Sequence, residues 1–299
     1  MKAKYFVIPA FLLLMAACQK EEQFDPETPE PSAEVSDSVF TLTVQASKGL
    51  ETKALWLDTS GTPDVLRAYW KNTEQVQVFH NGSFVGTLGV TPGTGEKPST
   101  ATLNGTVSAP GLAVGDELLL MLPRQTWNYT GQVGTLSSIE NTYDYATATV
   151  EVSSISGSTV TTTKQATFQN QQSVYRFSFT AGDALSVKGM TISSAGGRLV
   201  QSRTYEAGAW NNVLGDLTVT PASATTDPLY VSIFNQGTSA DTYSFILTGS
   251  DDAVYVATKD IPAEVLDVPG KFISAQNIPA TKPDFAPASG SVSDPEAVL

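Results

Sequence analysis

The sequence predicts an all-β fold, and three observations predict it. After residue 17, apolar runs are short and are broken by Gly, Asn, Asp or Pro. Several of these runs alternate apolar and polar residues, the period-two pattern of a half-buried strand. Thr, Ser, Val and Gly are abundant, Lys and Arg are scarce, and long helical patterns are hard to find. The length of 299 residues suits two domains of ordinary size behind a leader.

Taken in order, residues 1–17 read as a secretory signal. Lys2 and Lys4 give a basic start, Tyr5 to Ala17 is almost wholly apolar, and Ala16 and Ala17 are small enough for a signal peptidase. The run is shorter than the roughly 20 residues that span a bilayer. The cleavage point falls between Ala17 and Cys18, the only cysteine in the chain. Small residues directly before a cysteine resemble the bacterial lipoprotein box, with Met15 where that box usually carries Leu, Val or Ile. The resemblance implies diacylglycerol on the Cys18 sulfur. A single cysteine also excludes any disulfide within the chain.

Residues 18–37 hold Pro26, Pro29 and Pro31 among five glutamates and few apolar residues. Such a segment cannot bury a core and reads as a disordered acidic tether. Its start, Cys18-Gln19-Lys20-Glu21-Glu22, resembles the surface-export signal of lipoproteins in certain Gram-negative anaerobes.

The first predicted strand is "VFTLTVQA", with Phe40, Leu42, Val44 and Ala46 on one face. A polar break with Lys48 and Lys53 follows. "EQVQVFHNGSFVGTL" predicts a hairpin, because Asn81-Gly82 tolerates the positive φ of a type I′ turn. "TATLNGTV" alternates again, and the continuous apolar run "DELLLMLP" predicts a central strand buried on both faces. A strand near Ala146–Val152 ends the first half. The small, polar stretch from Ser153 to Lys164 sets the predicted division into domains 38–158 and 159–279.

In the second half, "SVYRFSFT" places Tyr175, Phe177 and Phe179 on one face. "GMTISSAGGRLVQ" predicts a hairpin at Gly196-Gly197. "LTVTP", "PLYVSIFN", "TYSFILTGS", "AVYVATK" and "GKFISAQNI" predict further strands. Residues 280–299, with Pro283, Pro287 and Pro295, read as a flexible tail.

The formal charge is −13; without Lys2 and Lys4 it is 15 basic against 30 acidic residues, or −15. Such a body repels phosphate backbones, which excludes nucleic acid as a partner, and it repels anionic headgroups, which leaves the lipid as the membrane contact. No phosphate-binding glycine loop or EF-hand spacing is present. His80, the only histidine, reads as an exposed residue at a turn edge. Asp116-Glu117 and Asp251-Asp252 read as strand-end or turn residues. No catalytic, metal or cofactor site is expected, and the chain reads as non-enzymatic. Trp56, Trp70, Trp127, Tyr129, Tyr143 and Tyr145 are either core residues or a platform for sugars, with the core reading favoured.

The order of segments resembles the fimbrillin family of lipid-anchored pilus subunits and surface proteins from Gram-negative anaerobes. The segments that carry it are "TKALW", "YWKNTEQVQVF", "GQVGTLSSIENTYDY", "ATFQNQQSVYRFSF", "KGMTISSAGGRL" and "GKFISAQNI", together with the lipoprotein box. The resemblance implies two transthyretin-like β-sandwich domains in tandem, an outer-membrane, cell-surface location, and other fimbrial subunits as partners. It also implies maturation by a trypsin-like protease that removes the lipid and the first strand, after which a strand of the next subunit fills the gap. Here the displaced strand is Phe40, Leu42, Val44 and Ala46, and the cut falls after Lys48 or Lys53, where many relatives have arginine. "DSV" at 37–39 resembles a short O-glycosylation motif of these bacteria. The proline-broken tail reads as a poor donor, so an anchor, tip or stand-alone role stays open, as do host or glycan ligands as further partners. The alternative reading is a glycan-binding surface lipoprotein that serves an outer-membrane uptake system.

Overall fold

The computed structural model describes residues 38–49, 55–61, 64–267 and 269–283. The signal, Cys18 and the tether lie outside the described residues, as do Lys53 and the tail from Asp284. All described residues belong to one compact unit, Asp37–Leu299. It is all-β apart from short helical turns.

The strands of the first part are β1 (Val39–Lys48), β2 (Leu55–Asp58), β3 (Val65–Ala68), β4 (Gln75–His80), β5 (Ser83–Pro92), β6 (Thr100–Ser108), β7 (Glu117–Leu122), β8 (Thr126–Asn128), β9 (Ala146–Ser156), β10 (Thr159–Thr162) and β11 (Ala166–Asn170). Between β8 and β9 lie a helical turn α1 (Leu136–Ser138) and a π-helical turn (Ile139–Tyr143). One sheet runs in the order β10-β1-β11-β9-β7-β4-β5-β6, and β1 also pairs with β6. The hydrogen-bonded circuit therefore closes on itself, which removes its free edges.

The alternation read from the sequence sets this ring. Phe40, Leu42, Val44 and Ala46 all point inward and are buried, as are Val76, Val78, Leu88, Leu103 and Val107. The run Glu117–Leu122 lies between β4 and β9, and Leu118, Leu120, Met121 and Leu122 are fully buried. At the β4–β5 turn, Asn81 (φ 49°) and Gly82 (φ 78°) take the left-handed region. Gly82 serves a second purpose, because a Cβ there would come 2.4 Å from the Gly208 nitrogen.

The second part comprises β12 (Ser173–Ala181), β13 (Asp183–Ala184), β14 (Val187–Ser194), β15 (Val200–Glu206), β16 (Ala209–Leu214), β17 (Leu217–Val219), β18 (Leu229–Ile233), β19 (Asp241–Gly249), β20 (Val254–Ile261), a helical turn α2 (Ala263–Leu266) and β21 (Phe272–Pro279). Sheet β17-β14-β19-β20 and the sheet around β12, with β18, β13 and β21, enclose an aromatic core that includes Tyr175, Phe177, Tyr243 and Phe245.

The structure differs from three expectations. The predicted division at 158/159 falls inside the first sheet, because β10 and β11 pair with β1 and β9 and carry that sheet to Asn170. The Gly196-Gly197 turn does not close a hairpin. β14 pairs with β17 and β19, whereas β15 pairs with β16 and β8. The Asp241 carboxylate accepts bonds from the Ser194 hydroxyl and the Gly196 N–H, which turns the chain out of β14's sheet. Finally, the flexible tail does not begin at 280. Ala280 is buried, and Thr281 exchanges two backbone hydrogen bonds with Val256.

Burial raises the Tyr129 and Tyr145 phenols, pushes Tyr175 up to about 12, and pushes Tyr243 higher still. These acids have folded values above the unfolded value of about 10. Their contribution to stability is complete below about pH 10 and is lost as pH rises toward the folded values. Ultraviolet phenolate titration is expected to show these four ionising late, in one cooperative step with unfolding. Smooth ionisation of all the tyrosines near the ordinary value would refute it.

Candidate functional site

The expected displaced strand is the natural starting point. β1 runs antiparallel to β6 from Val39↔Ser108 to Ser47↔Thr100. Its other edge is shared between two parallel partners, β10 at Thr41 and Leu42 and β11 from Ala46 to Lys48. It is the strand that closes the ring on both sides. Phe40 is 8% exposed, and Leu42, Val44 and Ala46 are wholly buried. Burying such a row is worth on the order of 6 kcal/mol. Without β1, the ladder partners on β6, β10 and β11 lose their bonds and an apolar slot opens in the first core.

The two ends of this strand differ. Val39 at its start is exposed. Lys48 at its end is anchored. Its Nζ lies 2.8 and 2.9 Å from the two Glu74 oxygens and donates to the Tyr69 carbonyl at 2.6 Å. The ammonium also sits 4.4 Å from the centre of the Trp70 ring, and Trp70 packs edge-on against Phe168 at 5.3 Å. The Glu74 carboxylate accepts the Lys71 backbone N–H as well, at 2.9 Å. Both side chains of the pair are nearly free of solvent, at 0% and 4% exposure.

Lys48, expected in a polar break, is instead the buried last residue of β1. A trypsin-like protease must draw a lysine into its own pocket, and the Lys48 side chain is already enclosed and paired. Nothing in residues 38–49 marked it as buried, because a lysine after an alternating run reads as the polar edge of a loop. Its partner Glu74 was missed for the same reason.

His80 is also corrected. It is 6% exposed, and its Nε2 lies 3.0 Å from Asp116 Oδ2 and 3.1 Å from the Asn81 amide. Asp116 in turn accepts the Ala113 N–H, so the pair ties the β4–β5 turn to the loop before β7. Among the described residues, no group of three or more His, Cys, Asp or Glu side chains could hold a metal ion.

The six aromatics weighed as a sugar platform divide clearly. Trp70, Trp127, Tyr129, Tyr143 and Tyr145 are buried, and Trp56 is half-buried beneath the Lys97 ammonium. Trp127 stacks on Tyr145 at 5.2 Å and abuts Trp210 at 4.2 Å. The Arg203 guanidinium is packed against the rings of Trp210, Phe234 and Trp127, at 3.9, 4.3 and 5.0 Å. Burial lowers Arg203 to about 10. Tyr205 extends the cluster to Phe79 on β4, 5.4 Å away. These rings join the two parts of the fold through β8, whose partner is β15.

No protein-family model and no curated protein matches the chain. Among solved structures, it is similar to a proposed cell-adhesion protein of Bacteroides ovatus, with 11% identity over 81% of this chain and 95% of that one, at a TM-score of 0.41. A proposed cell-adhesion protein of Bacteroides uniformis gives 11% identity, 82% and 98% coverage, and a TM-score of 0.41. A fimbrial assembly protein of Parabacteroides distasonis gives 11% identity, 80% and 90% coverage, and a TM-score of 0.36.

Proposed function

We propose that the chain is a non-enzymatic cell-surface lipoprotein, a fimbrillin-like structural or adhesive subunit anchored to the outer membrane through Cys18. On this reading the chain holds two β-sandwich domains, with the division moved from 158/159 to about Asn170. The subunit presents β1 as a strand that another subunit replaces. The supporting observation is the position of β1, which closes the ring between β6 and the β10/β11 pair and buries Phe40, Leu42, Val44 and Ala46. A strand added from another chain restores both the ladder and the apolar row, the physical basis of β-strand addition.

Of the two candidate cut positions, this reading selects Lys53. Limited trypsin treatment of the folded protein is expected to cut after Lys53 before Lys48, and K53Q to slow release of β1 at least tenfold. Removal of β1 is then expected to permit oligomers, read by size-exclusion chromatography. First cleavage after Lys48, or a trimmed protein that stays monomeric at high concentration, overturns the reading.

A further inference from the structure

We propose that a polar cleft beside the β4–β5 hairpin binds a carboxylate-bearing saccharide, with Arg124 as the carboxylate anchor. The inference rests on the adhesive surface reading and names a ligand class for it.

The cleft has a volume of about 450 Å³ and lies between the outer face of β4–β5, the Pro123–Arg124 segment and the π-helical turn. That volume lies in the lower part of the usual range for small-molecule sites and holds one or two sugar rings. Its walls are fixed before any ligand arrives. Gln77 Oε1 accepts the Gln125 N–H at 2.8 Å, and the Trp127 indole donates to the Arg124 carbonyl at 2.5 Å. Lys71 is paired with Glu140 across the cleft, and Glu74 at its base is held by Lys48. A pre-organised site avoids ordering costs on binding.

The charges select the ligand. Glu74 is neutralised by Lys48, and Glu140 by Lys71. Arg124 is exposed, lies beside the Tyr145 hydroxyl and makes no ion pair among the described residues, which leaves one positive charge in surplus. A guanidinium fork matches a carboxylate with two parallel hydrogen bonds. The rest of the lining includes the neutral side chains of Gln75, Thr87 and Asn141, amides and a hydroxyl that both donate and accept, as sugar hydroxyls do. A polyphosphate would bring several negative charges to a cleft with one positive charge in surplus, on a body of charge −13 that repels it more strongly than a single carboxylate. A neutral sugar would find no aromatic side chain in the lining to stack on. The carboxylate supplies the binding energy that a stacked ring would otherwise provide.

The test is calorimetric titration of the full-length protein with sialyllactose against lactose, and cellobiouronic acid against cellobiose. At least one acid is expected to bind, with its neutral counterpart about tenfold weaker or more. R124A is expected to weaken the acid by about ten- to hundredfold, R124K by less, and the exposed K188A not at all. Neither acid binding above its neutral counterpart, or R124A binding unchanged, overturns the proposal. R124Q serves as a second variant if R124A lowers the melting temperature. Strand-exchange oligomers of R124A are expected to be normal, so loss of the glycan site and loss of the subunit reading give different results.

Discussion

Replacing Glu74 by alanine is expected to cost about 3–5 kcal/mol. The Lys48 ammonium has no solvent-exposed surface in its side chain, and Glu74 supplies both of its carboxylate contacts. Removing one partner of a buried pair leaves an uncompensated charge, and that loss exceeds what the pair itself contributes. The Tyr69 carbonyl and the Trp70 face remain, and together they replace only part of it. The double variant K48M/E74L removes both charges and keeps the volume, so it is expected to recover most of the loss. Urea denaturation of the two single variants and the double variant forms the cycle that isolates the coupling. Amide exchange should show where the loss acts, because the pair pins the last residue of β1 to the segment before β4. E74A is expected to speed exchange in residues 44–48 more than in β7. A change below about 0.5 kcal/mol, the range of ordinary surface substitutions, would mean that water reaches the pair.

The first half of this fold was legible wherever burial follows alternation. Phe40 to Ala46, the Asn81-Gly82 turn and the run before Pro123 each state their environment locally, since each is set by a period or a turn requirement. The buried polar contacts were not legible. Lys48, Glu74, His80 and Asp116 have ordinary surface residue types, and only the tertiary fold brings Lys48 to Glu74, or His80 to Asp116, across long separations in sequence. The place of the predicted division, inside a sheet, was not legible for a related reason. The Ser/Thr-rich stretch from Ser153 to Lys164 has the composition of a linker, yet Ser154 and Thr161 sit in a paired β9–β10 ladder where small side chains suit an exposed face. The Gly196-Gly197 turn looks like a hairpin because the sheet that receives β15 is built partly from β8, more than seventy residues upstream. Arg124 left no sequence signal either, because its interest lies in what its neighbours pair with.

Replacing Gln132 by leucine is expected to cost about 2–5 kcal/mol, because three buried backbone groups, the Ser232 N–H and the Ser232 and Tyr129 carbonyls, lose their partner. Gln132 is wholly buried, and its side-chain amide imitates a peptide group. Its Oε1 accepts the Ser232 N–H at 2.8 Å, and its Nε2 donates to the Ser232 carbonyl at 2.8 Å and the Tyr129 carbonyl at 2.9 Å. The backbone continues the same contact, since Thr220 donates to the Gln132 carbonyl and Tyr230 to that of Gly134. The segment from Tyr129 to Gly134 thereby lies between the edges of β17 and β18, and a stretch of chain from before β9 closes the second core. Gly134 has φ +77°, and a Cβ there would come 2.8 Å from Leu229, so the approach is close as well as bonded. The isosteric Q132E is the sharper test. A carboxylate cannot donate to the two carbonyls, and a buried charge without a partner is costlier than a lost hydrogen bond. Burial raises such an acid above the unfolded value of about 4.3. Its deficit should therefore be small in acid, where the carboxyl is protonated and donates, and should deepen as pH rises through that value. Urea midpoints at several pH values for the wild type, Q132L and Q132E read this out. A Q132E deficit that does not change with pH would mean that the amide is solvated, and that this segment does not seal the second core.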